Sequence, residues 1–433
     1  MNETNPALGV LIFALGGLAG AVFYLPFKKV KNWAWESYWL VYALFGLLIV
    51  PWVLALTTSP NVFSVIKAAP VNTLAYCFFC GAAWGIGGLT WGLMIRYLGV
   101  GLGLALGCGI CSAAGTLIPK MLKGEFGQLF EAGAGRMSFI GVLVSLAGIV
   151  MVGMAGMSKE KELPEEEKKK SVAEYNFKKG ILAALFSGLM SSAMSFGLQG
   201  GGKIEELAQT TAPVTSTTWR GMPVLVVVLL GGLMVNFIWC LFLNVKNKTT
   251  GDYAKPGAPL AANFIFAGIA GAIWCSQFIC FKTGEPAMGK TAYVGWALLM
   301  ASAILFSTLL GIYLGEWKGT SNRTRGLLGF GLALLLLSSV IAGYSGKLSQ
   351  DKAKLPKAAA AGAFHFFGQP PGASFIDTLF QRGGGGRELG ENRFQRFLAL
   401  ETAEAVVTTF HLGNTPLKRG VNQSMAAKEL LRA

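Results

Sequence analysis

The stretch that decides the fold is Gly221–Asn244, GMPVLVVVLLGGLMVNFIWCLFLN, which carries no charged side chain from end to end. The hydrocarbon core of a bilayer is about 30 Å thick, and a helix needs roughly 20 apolar residues to cross it. In lipid, the backbone can satisfy its hydrogen bonds only as a helix or a closed barrel. Because this run is far too long for a barrel strand, it is predicted to be a transmembrane helix.

Similar apolar runs fill most of the first 345 or so residues, separated mainly by short polar loops. They predict an all-α integral membrane protein with about ten transmembrane helices. The predicted spans are 7–27, 37–57, 72–95, 98–119, 136–156, 179–199, 221–244, 260–281, 292–314 and 326–346.

The composition agrees with a membrane protein. Of the 433 residues, 53% are hydrophobic and only 14% are charged, whereas soluble proteins carry about 25% charged residues. The 58 glycines suit helices that approach one another closely in lipid. The net charge of +15 is better explained by Lys and Arg in loops that face the cytoplasm and anionic lipid than by a nucleic-acid partner, which we do not expect.

The longest polar interruption between spans follows the fifth of them and divides the chain into equal halves. We expect a first five-helix repeat at 1–157, a charged cytoplasmic linker at 158–178 and a second five-helix repeat at 179–346. Two halves that each contain an odd number of spans cross the membrane in opposite directions. This is the topology of an inverted repeat. The remainder, 347–433, is predicted to be a low-complexity and disordered extension. Lys and Arg favour the loops after odd-numbered spans, which places 158–178 in the cytoplasm and both termini outside.

Two motifs that resemble nucleotide or metal sites have structural explanations. The segment Gly284–Thr291, GEPAMGKT, fits the phosphate-loop pattern GxxxxGK[ST], but that chemistry requires a strand, a loop and a helix in a soluble domain. It lies in a short connection between predicted spans, so we expect no nucleotide. The CxxC pairs Cys77/Cys80 and Cys108/Cys111 lie in apolar runs without a nearby His, so we expect packing thiols, no metal and no cofactor.

Amide and aromatic side chains inside the spans indicate a binding cavity. Asn236, Asn263 and Gln277 are predicted to lie at lipid depth, where each must find a partner. Trp274 shares a helical face with Gln277, and Trp84 shares one with Trp91. Aromatic rings beside amide groups suit a sugar. The C–H faces of the sugar stack on the rings, and its hydroxyl groups form hydrogen bonds with the amides. The alternative is interhelical hydrogen bonding by the amides and interfacial anchoring by the tryptophans.

A proton-coupled carrier needs a carboxylate that binds the proton and also interacts with the substrate. None of the Asp and Glu residues is predicted at mid-depth in a span, which leaves a choice between proton and Na⁺ open. Each candidate could instead be a solvated loop residue, and we select Glu36, Glu205 and Glu206 as the strongest. The carboxylates near span ends are Glu36, Glu205, Glu206, Glu285 and Glu316.

The opening motif is specific. Phe23–Glu36, FYLPFKKVKNWAWE, closely resembles the start of the bacterial L-rhamnose–proton symporters of the drug/metabolite transporter superfamily. Gly81–Gly87 and Gly92–Gly99 resemble the same family. In the second half, Asn236, Asn263 and the segment Trp274-x-x-Gln277-Phe278 fall where the family has similar residues. The resemblance covers about residues 8–345.

The resemblance implies a multi-pass protein of the bacterial inner membrane. It would be a secondary transporter rather than an enzyme, with ten helices in two inverted halves, taking up L-rhamnose or a related deoxysugar with protons through alternating access. Its sugar and proton are the expected partners. The 282–292 segment departs from the family's pattern, which leaves the coupling ion and the exact sugar open, with a Na⁺-coupled sugar carrier as an alternative. A metabolite or drug exporter of the same superfamily is a separate alternative. The residues expected to line the sugar site are Tyr24, Trp84, Trp91, Arg96, Asn236, Asn263, Trp274 and Gln277.

Overall fold

A computed structural model describes residues 5–130, 133–162, 176–315 and 317–354. Over these ranges the chain forms helices and connecting turns without a strand, which confirms the all-α prediction. Within the described residues, eight helical segments are long and apolar enough to cross a membrane. Beyond Lys354, the predicted C-terminal extension lies outside the described residues.

In the described residues, the first half of the chain contains six α-helices. A π-helical turn at Phe45–Ile49 joins the second and third of them into one continuous segment, and 3-10 turns occupy Leu25–Lys29 and Phe126–Phe130. The six helices are α1 Pro6–Val22, α2 Trp35–Leu44, α3 Val50–Thr58, α4 Val62–Ala68, α5 Val71–Leu122 and α6 Ala134–Glu162.

The second half begins after the linker and adds six more α-helices in the described residues. A 3-10 turn at Thr250–Ala254 precedes the fourth of these, and another at Gly289–Val294 follows it. The helices are α7 Phe177–Gly200, α8 Gly202–Thr210, α9 Met222–Lys246, α10 Leu260–Met288, α11 Gly295–Tyr313 and α12 Asn322–Lys354.

Three helices continue at least six residues beyond their predicted ends. Helix α6 runs to Glu162 rather than 156. Helix α10 runs to Met288 rather than 281, and α12 runs to Lys354 rather than 346. In α10 the additional turns contain Lys282 and Glu285, which bind each other. Charged residues that neutralise one another can therefore remain in a helix that hydropathy alone would end.

Helix α5 differs most from the prediction, which divided it into spans 72–95 and 98–119. The structure has one uninterrupted helix, because no proline interrupts it before Pro119. It is nevertheless strongly bent. A Cβ atom built on Gly107 would lie 2.7 Å from the Met94 sulfur, although 13 residues of straight helix span about 20 Å. The chain therefore turns back between Met94 and Gly107, and α5 has two limbs.

Glycines allow the helices of the two halves to touch through their backbones. A Cβ atom on Gly81 of α5 would lie 1.8 Å from the Val228 carbonyl oxygen of α9. In the reverse direction, one on Gly231 would lie 1.9 Å from the Phe78 carbonyl oxygen. This is the close packing expected of small residues in membrane helices, and it fixes the crossing point beside which the aromatic residues lie.

Candidate functional site

A group of aromatic side chains lies where helices of the two halves meet. The ring centroids of Trp84 on α5 and Trp274 on α10 are 5.0 Å apart, with the rings tilted by 31°. Phe278 lies 4.6 Å from Trp274, and Tyr42 of α2 lies 6.0 Å from it. The structure thus brings together two tryptophans that are far apart in sequence and that we expected to line one cavity.

Two of the predicted amides lie beside this group. Asn236 accepts a hydrogen bond from the Trp39 indole at 3.0 Å and donates one to the Gly232 carbonyl at 2.9 Å. Gln277 is buried on α10, and a Cβ atom on Gly20 of α1 would lie 2.7 Å from its side-chain oxygen. Asn236 is thus bound to Gly232, which faces the Trp84 ring, whereas the Gln277 side chain faces α1.

The other predicted sugar-site residues lie elsewhere. Asn263 accepts from the Lys31 amide at 3.0 Å and donates to the Lys31 carbonyl at 2.8 Å, so it fixes the chain before α2. Trp91 packs against a separate cluster that contains Met94 and Leu98. Tyr24 is 37% exposed beside Phe23. The side chain of Arg96 lies outside the described residues.

A cavity of about 250 Å³ lies at the end of the bundle where α5 and α10 finish. It is also lined by the junction of α7 and α8 and by the residues that precede α9. Its lining is strongly charged. The cations are Lys120, Lys123, Arg220, Lys282 and Lys290, and the carboxylates are Glu125, Glu205 and Glu285.

The most buried of these charged groups is Lys282, which is 2% exposed. Its ammonium group forms ion pairs with Glu205 and Glu285 and donates a hydrogen bond to the Leu198 carbonyl at 3.2 Å. An ammonium has three N–H donors, so these three acceptors satisfy it. Arg220 adds a second cation, with its Nε atom 3.1 Å from Glu205. We call Lys282, Glu205, Glu285 and Arg220 the charge cage.

A more exposed pair stands at the cavity rim. Lys120 Nζ lies 2.8 Å from Glu125 Oε2 and 4.7 Å from the centre of the Tyr293 ring. The hydrogen bond from Lys120 holds the pKa of the Glu125 carboxyl below its usual range.

The opposite end of the bundle is closed by hydrogen bonds between the two halves. Glu36 accepts from the Asn247 amide and from the Thr249 hydroxyl, both at 2.9 Å. Asp252 accepts from the Ala34 amide at 2.7 Å and from the Ser37 hydroxyl at 2.8 Å. Together with the Asn263–Lys31 contact, these bonds form what we call the seam.

The carboxylates selected from the sequence therefore have different surroundings. Glu205 belongs to the charge cage, Glu36 belongs to the seam, and Glu206 is exposed on α8. Glu316 lies outside the described residues. Glu205 and Glu285 lie in apolar helical segments long enough to span a membrane, whereas the predicted spans ended at 199 and 281.

Lys282 is a feature that the sequence analysis missed, because the predicted span ended immediately before it. The signal available was its spacing from Glu285, which places both side chains on one helical face. The phosphate-loop pattern, in contrast, begins within the last turn of α10 and continues into a 3-10 turn. A Cβ atom on its first glycine, Gly284, would lie 2.8 Å from the Phe13 ring, so this glycine serves helix packing.

The fold and these contacts define a polytopic membrane protein with a charged cavity beside an aromatic interior. The sequence model described as L-rhamnose-proton symport protein (RhaT) matches residues 1–347. The L-rhamnose-proton symporter of Cronobacter sakazakii (strain ATCC BAA-894) is 31% identical over 340 residues, which are 78% of this chain and 96% of that protein. Those of Klebsiella pneumoniae (strain 342) and Yersinia pestis (strain Pestoides F) are each 31% identical, over 78% of this chain and 97% of their own lengths.

The chain belongs to the L-rhamnose-proton symport family. It is a transporter rather than an enzyme, as the sequence predicts.

Proposed function

We propose that this protein imports L-rhamnose or a closely related deoxysugar together with protons across the bacterial inner membrane. The observation that carries the proposal is one interior face of α10. Trp274, Phe278 and Lys282 follow one another at intervals of four residues, so they line the same side of the helix. This face extends from the aromatic group to the charge cage. It therefore connects side chains that can bind a sugar with carboxylates that can bind a proton.

The aromatic group provides the sugar site in this proposal. Trp84 and Trp274 would stack on the apolar face of a deoxyhexose, while Asn236 and Gln277 would bind its hydroxyl groups. The two rings now pack on each other at 5.0 Å, which leaves no room for a sugar between them. The rings must separate for the sugar to bind there, and this makes the present arrangement a closed state of the site.

Ten membrane crossings in two inverted halves are part of the proposal. The two limbs of α5 would each form one crossing, and the 54-residue segment Leu260–Tyr313 is too long for one crossing and would form two, α10 and α11. The eight spanning candidates in the described residues include the first limb of α5, Val71–Trp91. Adding the second limb, Leu106–Leu122, and counting Leu260–Tyr313 twice gives ten.

Equivalent contacts between the halves support the inverted repeat. Helix α1 packs on α10 through Gly16 and Cys280 and on α11 through Gly17 and Ser302. The corresponding first helix of the second half, α7, packs on both limbs of α5. It does so through Ser191 with Gly87 and through Gly188 with Ile110. The last helices of the halves, α6 and α12, pair with each other through the Ser138 and Ser345 hydroxyls.

Alternating access would open the two ends of the bundle in turn. Both termini are predicted to lie outside, which places the cavity on the outer side and the seam on the cytoplasmic side. The structure would then correspond to a state in which the outer cavity is open, while the sugar site and the seam are closed. Release of sugar and proton to the cytoplasm would require the seam bonds of Glu36, Asp252 and Asn263 to break while the outer cavity closes.

Uptake of labelled L-rhamnose by cells that lack their own carrier, with the external pH recorded, tests this function. We expect uptake accompanied by alkalinisation of the medium, and loss of both accumulation and alkalinisation with an uncoupler. Uptake that instead follows a Na⁺ gradient would contradict proton coupling. A protein that reaches the membrane without transporting L-rhamnose would contradict the proposed substrate.

The location of the sugar site is tested by Trp274→Ala, with Trp239→Phe as the control. Trp239 is 44% exposed on α9 and packs on Phe242 at 5.8 Å. We expect Trp274→Ala to raise the KM for L-rhamnose by about two- to tenfold, because loss of one stacked ring removes about 0.5–1.5 kcal/mol of binding. The control should leave KM unchanged. Equal KM values for the two variants would contradict this location.

A further inference from the structure

The two carboxylates of the charge cage have unequal partners. Glu205 is bound by two cations, because Lys282 approaches one of its oxygens and Arg220 Nε lies 3.1 Å from the other. Glu285 is bound by Lys282. A proton placed on Glu205 would weaken two ion pairs, whereas one placed on Glu285 would weaken one. Glu285 is therefore the carboxylate of the cage that accepts a proton more readily.

The surroundings of Glu285 favour the same assignment. Its side chain is 12% exposed and that of Glu205 is 14% exposed, so burial does not distinguish them. Because both bind one ammonium group, the negative charge of Glu205 lies close to Glu285 and favours its protonation. The other charged or titratable groups lining the cavity are Lys120, Lys123, Glu125, Lys290 and Tyr293. Of these, Lys123 and Lys290 are exposed at the rim, where water screens them.

The charge balance of the cage also changes with one proton. Two cations and two carboxylates cancel when both carboxylates are ionised. A proton from the outer water that binds a Glu285 oxygen leaves the cage with a net positive charge and weakens one of the three interactions of the Lys282 ammonium. One N–H of Lys282 then becomes available to a neutral acceptor, such as a sugar hydroxyl oxygen.

We propose that Glu285 carries the coupled proton, while Glu205 stays ionised as the shared partner of Lys282 and Arg220. This assignment rests on the proposed function and specifies its coupling group. Protonated Glu285 frees a Lys282 donor for the sugar, so proton and sugar bind together. When the proton leaves on the cytoplasmic side, Glu285 recovers Lys282 and the sugar loses that donor. No covalent bond forms or breaks except the O–H bond on Glu285.

The test separates sugar exchange from sugar accumulation in Glu285→Gln. Glutamine resembles the protonated carboxyl but cannot release a proton. We expect exchange of labelled for unlabelled L-rhamnose across proteoliposomes to persist and to become independent of pH, whereas wild-type exchange falls as the pH rises. Accumulation driven by a pH gradient and sugar-dependent alkalinisation should both be lost. Proton-driven accumulation by Glu285→Gln at the wild-type level would overturn the assignment.

Three further variants complete the test. Glu285→Asp keeps a titratable group and should restore part of the coupling. Glu205→Gln should lose exchange as well as accumulation, because the buried Lys282 and the partly exposed Arg220 lose their common partner. Glu160→Gln, at the far end of α6, removes a carboxylate outside the cage and should keep both activities. If Glu205→Gln alone showed pH-independent exchange without accumulation, Glu205 would be the proton carrier and our assignment would be wrong.

Misfolding and failure of the proposed function can be told apart from failure of this assignment. Purified Glu285→Gln that melts at the wild-type temperature in detergent and yet shows no exchange would overturn the assignment. If wild-type protein itself moved no proton with L-rhamnose, the proposed function would fail. If wild-type coupling were present and Glu285→Gln remained coupled, only the assignment would fail.

Discussion

The two ends of the helix bundle are built from different interactions. At one end, a cavity leads to the charge cage, where Lys282 binds two carboxylates beneath the surface. At the other end, the seam joins the halves through hydrogen bonds that amide, hydroxyl and backbone groups donate to Glu36, Asp252 and Asn263. The two regions are about 30 Å apart along α10, as 19 residues of helix separate Asn263 from Lys282.

This difference has an energetic consequence. Removing one member of a buried ion pair costs about 3–5 kcal/mol, whereas a hydrogen bond contributes about 1 kcal/mol between neutral groups and about 1.5–3 kcal/mol when the acceptor is a carboxylate. Under the alternating access that we propose, the seam opens by breaking these hydrogen bonds one at a time. The cage cannot lose a member at low cost, but it can gain or lose a proton. In the proposed cycle, the change in the charge of the cage on gaining or losing a proton controls when the seam opens.

The largest effect is expected for Lys282→Ala. Without this ammonium, Glu205 and Glu285 face each other, and Arg220 pairs with only one of them. We expect about 3–5 kcal/mol of destabilisation, measured by denaturant unfolding of purified protein in detergent, together with loss of transport. Lys203→Ala, which changes an exposed lysine of α8, is the matched control and should unfold like wild type. A cost below about 1 kcal/mol for Lys282→Ala would show that the cage does not support the fold.

The region between the two ends depends on the contact of α5 with α9. Gly81→Ala places a Cβ atom 1.8 Å from the Val228 carbonyl oxygen, so the helices must separate. We expect about 1–3 kcal/mol of destabilisation by the same unfolding measurement. Gly88→Ala on the same helix is the control, because a Cβ atom there meets nothing within 4 Å. Similar stability of the two variants would contradict the close helix crossing.

A smaller effect is expected at the seam. Asn263→Ala removes both hydrogen bonds to the Lys31 backbone and should cost about 1–2 kcal/mol. It should also favour the state in which the seam is open, which an increased rate of sugar release from preloaded vesicles would show. Asn72→Ala, an exposed asparagine at the start of α5, should change neither quantity. Release as slow as that of wild type would show that the Asn263 contact does not hold the gate.

The smallest effect is expected at the cavity rim, where Glu125 is 41% exposed. Because Lys120 lowers the pKa of Glu125 in the folded protein, the pair stabilises the fold at neutral pH. This contribution disappears as the pH falls through the lowered pKa. Glu125→Gln should therefore cost at most about 1 kcal/mol at pH 7 and nothing in strong acid. A stability difference from wild type that grows toward acid pH would contradict the pairing.

The sequence predicts the apolar helices well, because hydropathy over some 20 residues depends little on tertiary structure. It also places Trp84 and Trp274 in one predicted cavity, and the two rings are in contact. At the point where α5 reverses direction, the sequence predicts a break between two separate helices. The structure instead keeps helical backbone through the turn, since no proline or polar run stops it.

The charge cage could not be found from hydropathy. A Lys and two Glu residues lower the mean hydropathy of a window, so the predicted spans ended at 199 and 281, before Glu205 and Lys282. Their mutual neutralisation depends on α8 and α10 lying side by side, which only the tertiary structure shows. For the same reason, Glu36 and Glu205 looked equivalent in the sequence. In the structure, one accepts hydrogen bonds from neutral groups and the other binds two cations.

The most direct test of the difference between the two ends is the ratio of protons to L-rhamnose taken up by Glu285→Gln and Glu36→Gln. Both variants neutralise one carboxylate, at opposite ends of the bundle. We predict that Glu36→Gln transports more slowly but keeps the wild-type ratio, because it alters the gate. We predict that Glu285→Gln exchanges sugar with no net proton uptake. Loss of proton uptake in Glu36→Gln, with a normal ratio in Glu285→Gln, would contradict the account and place coupling at the seam.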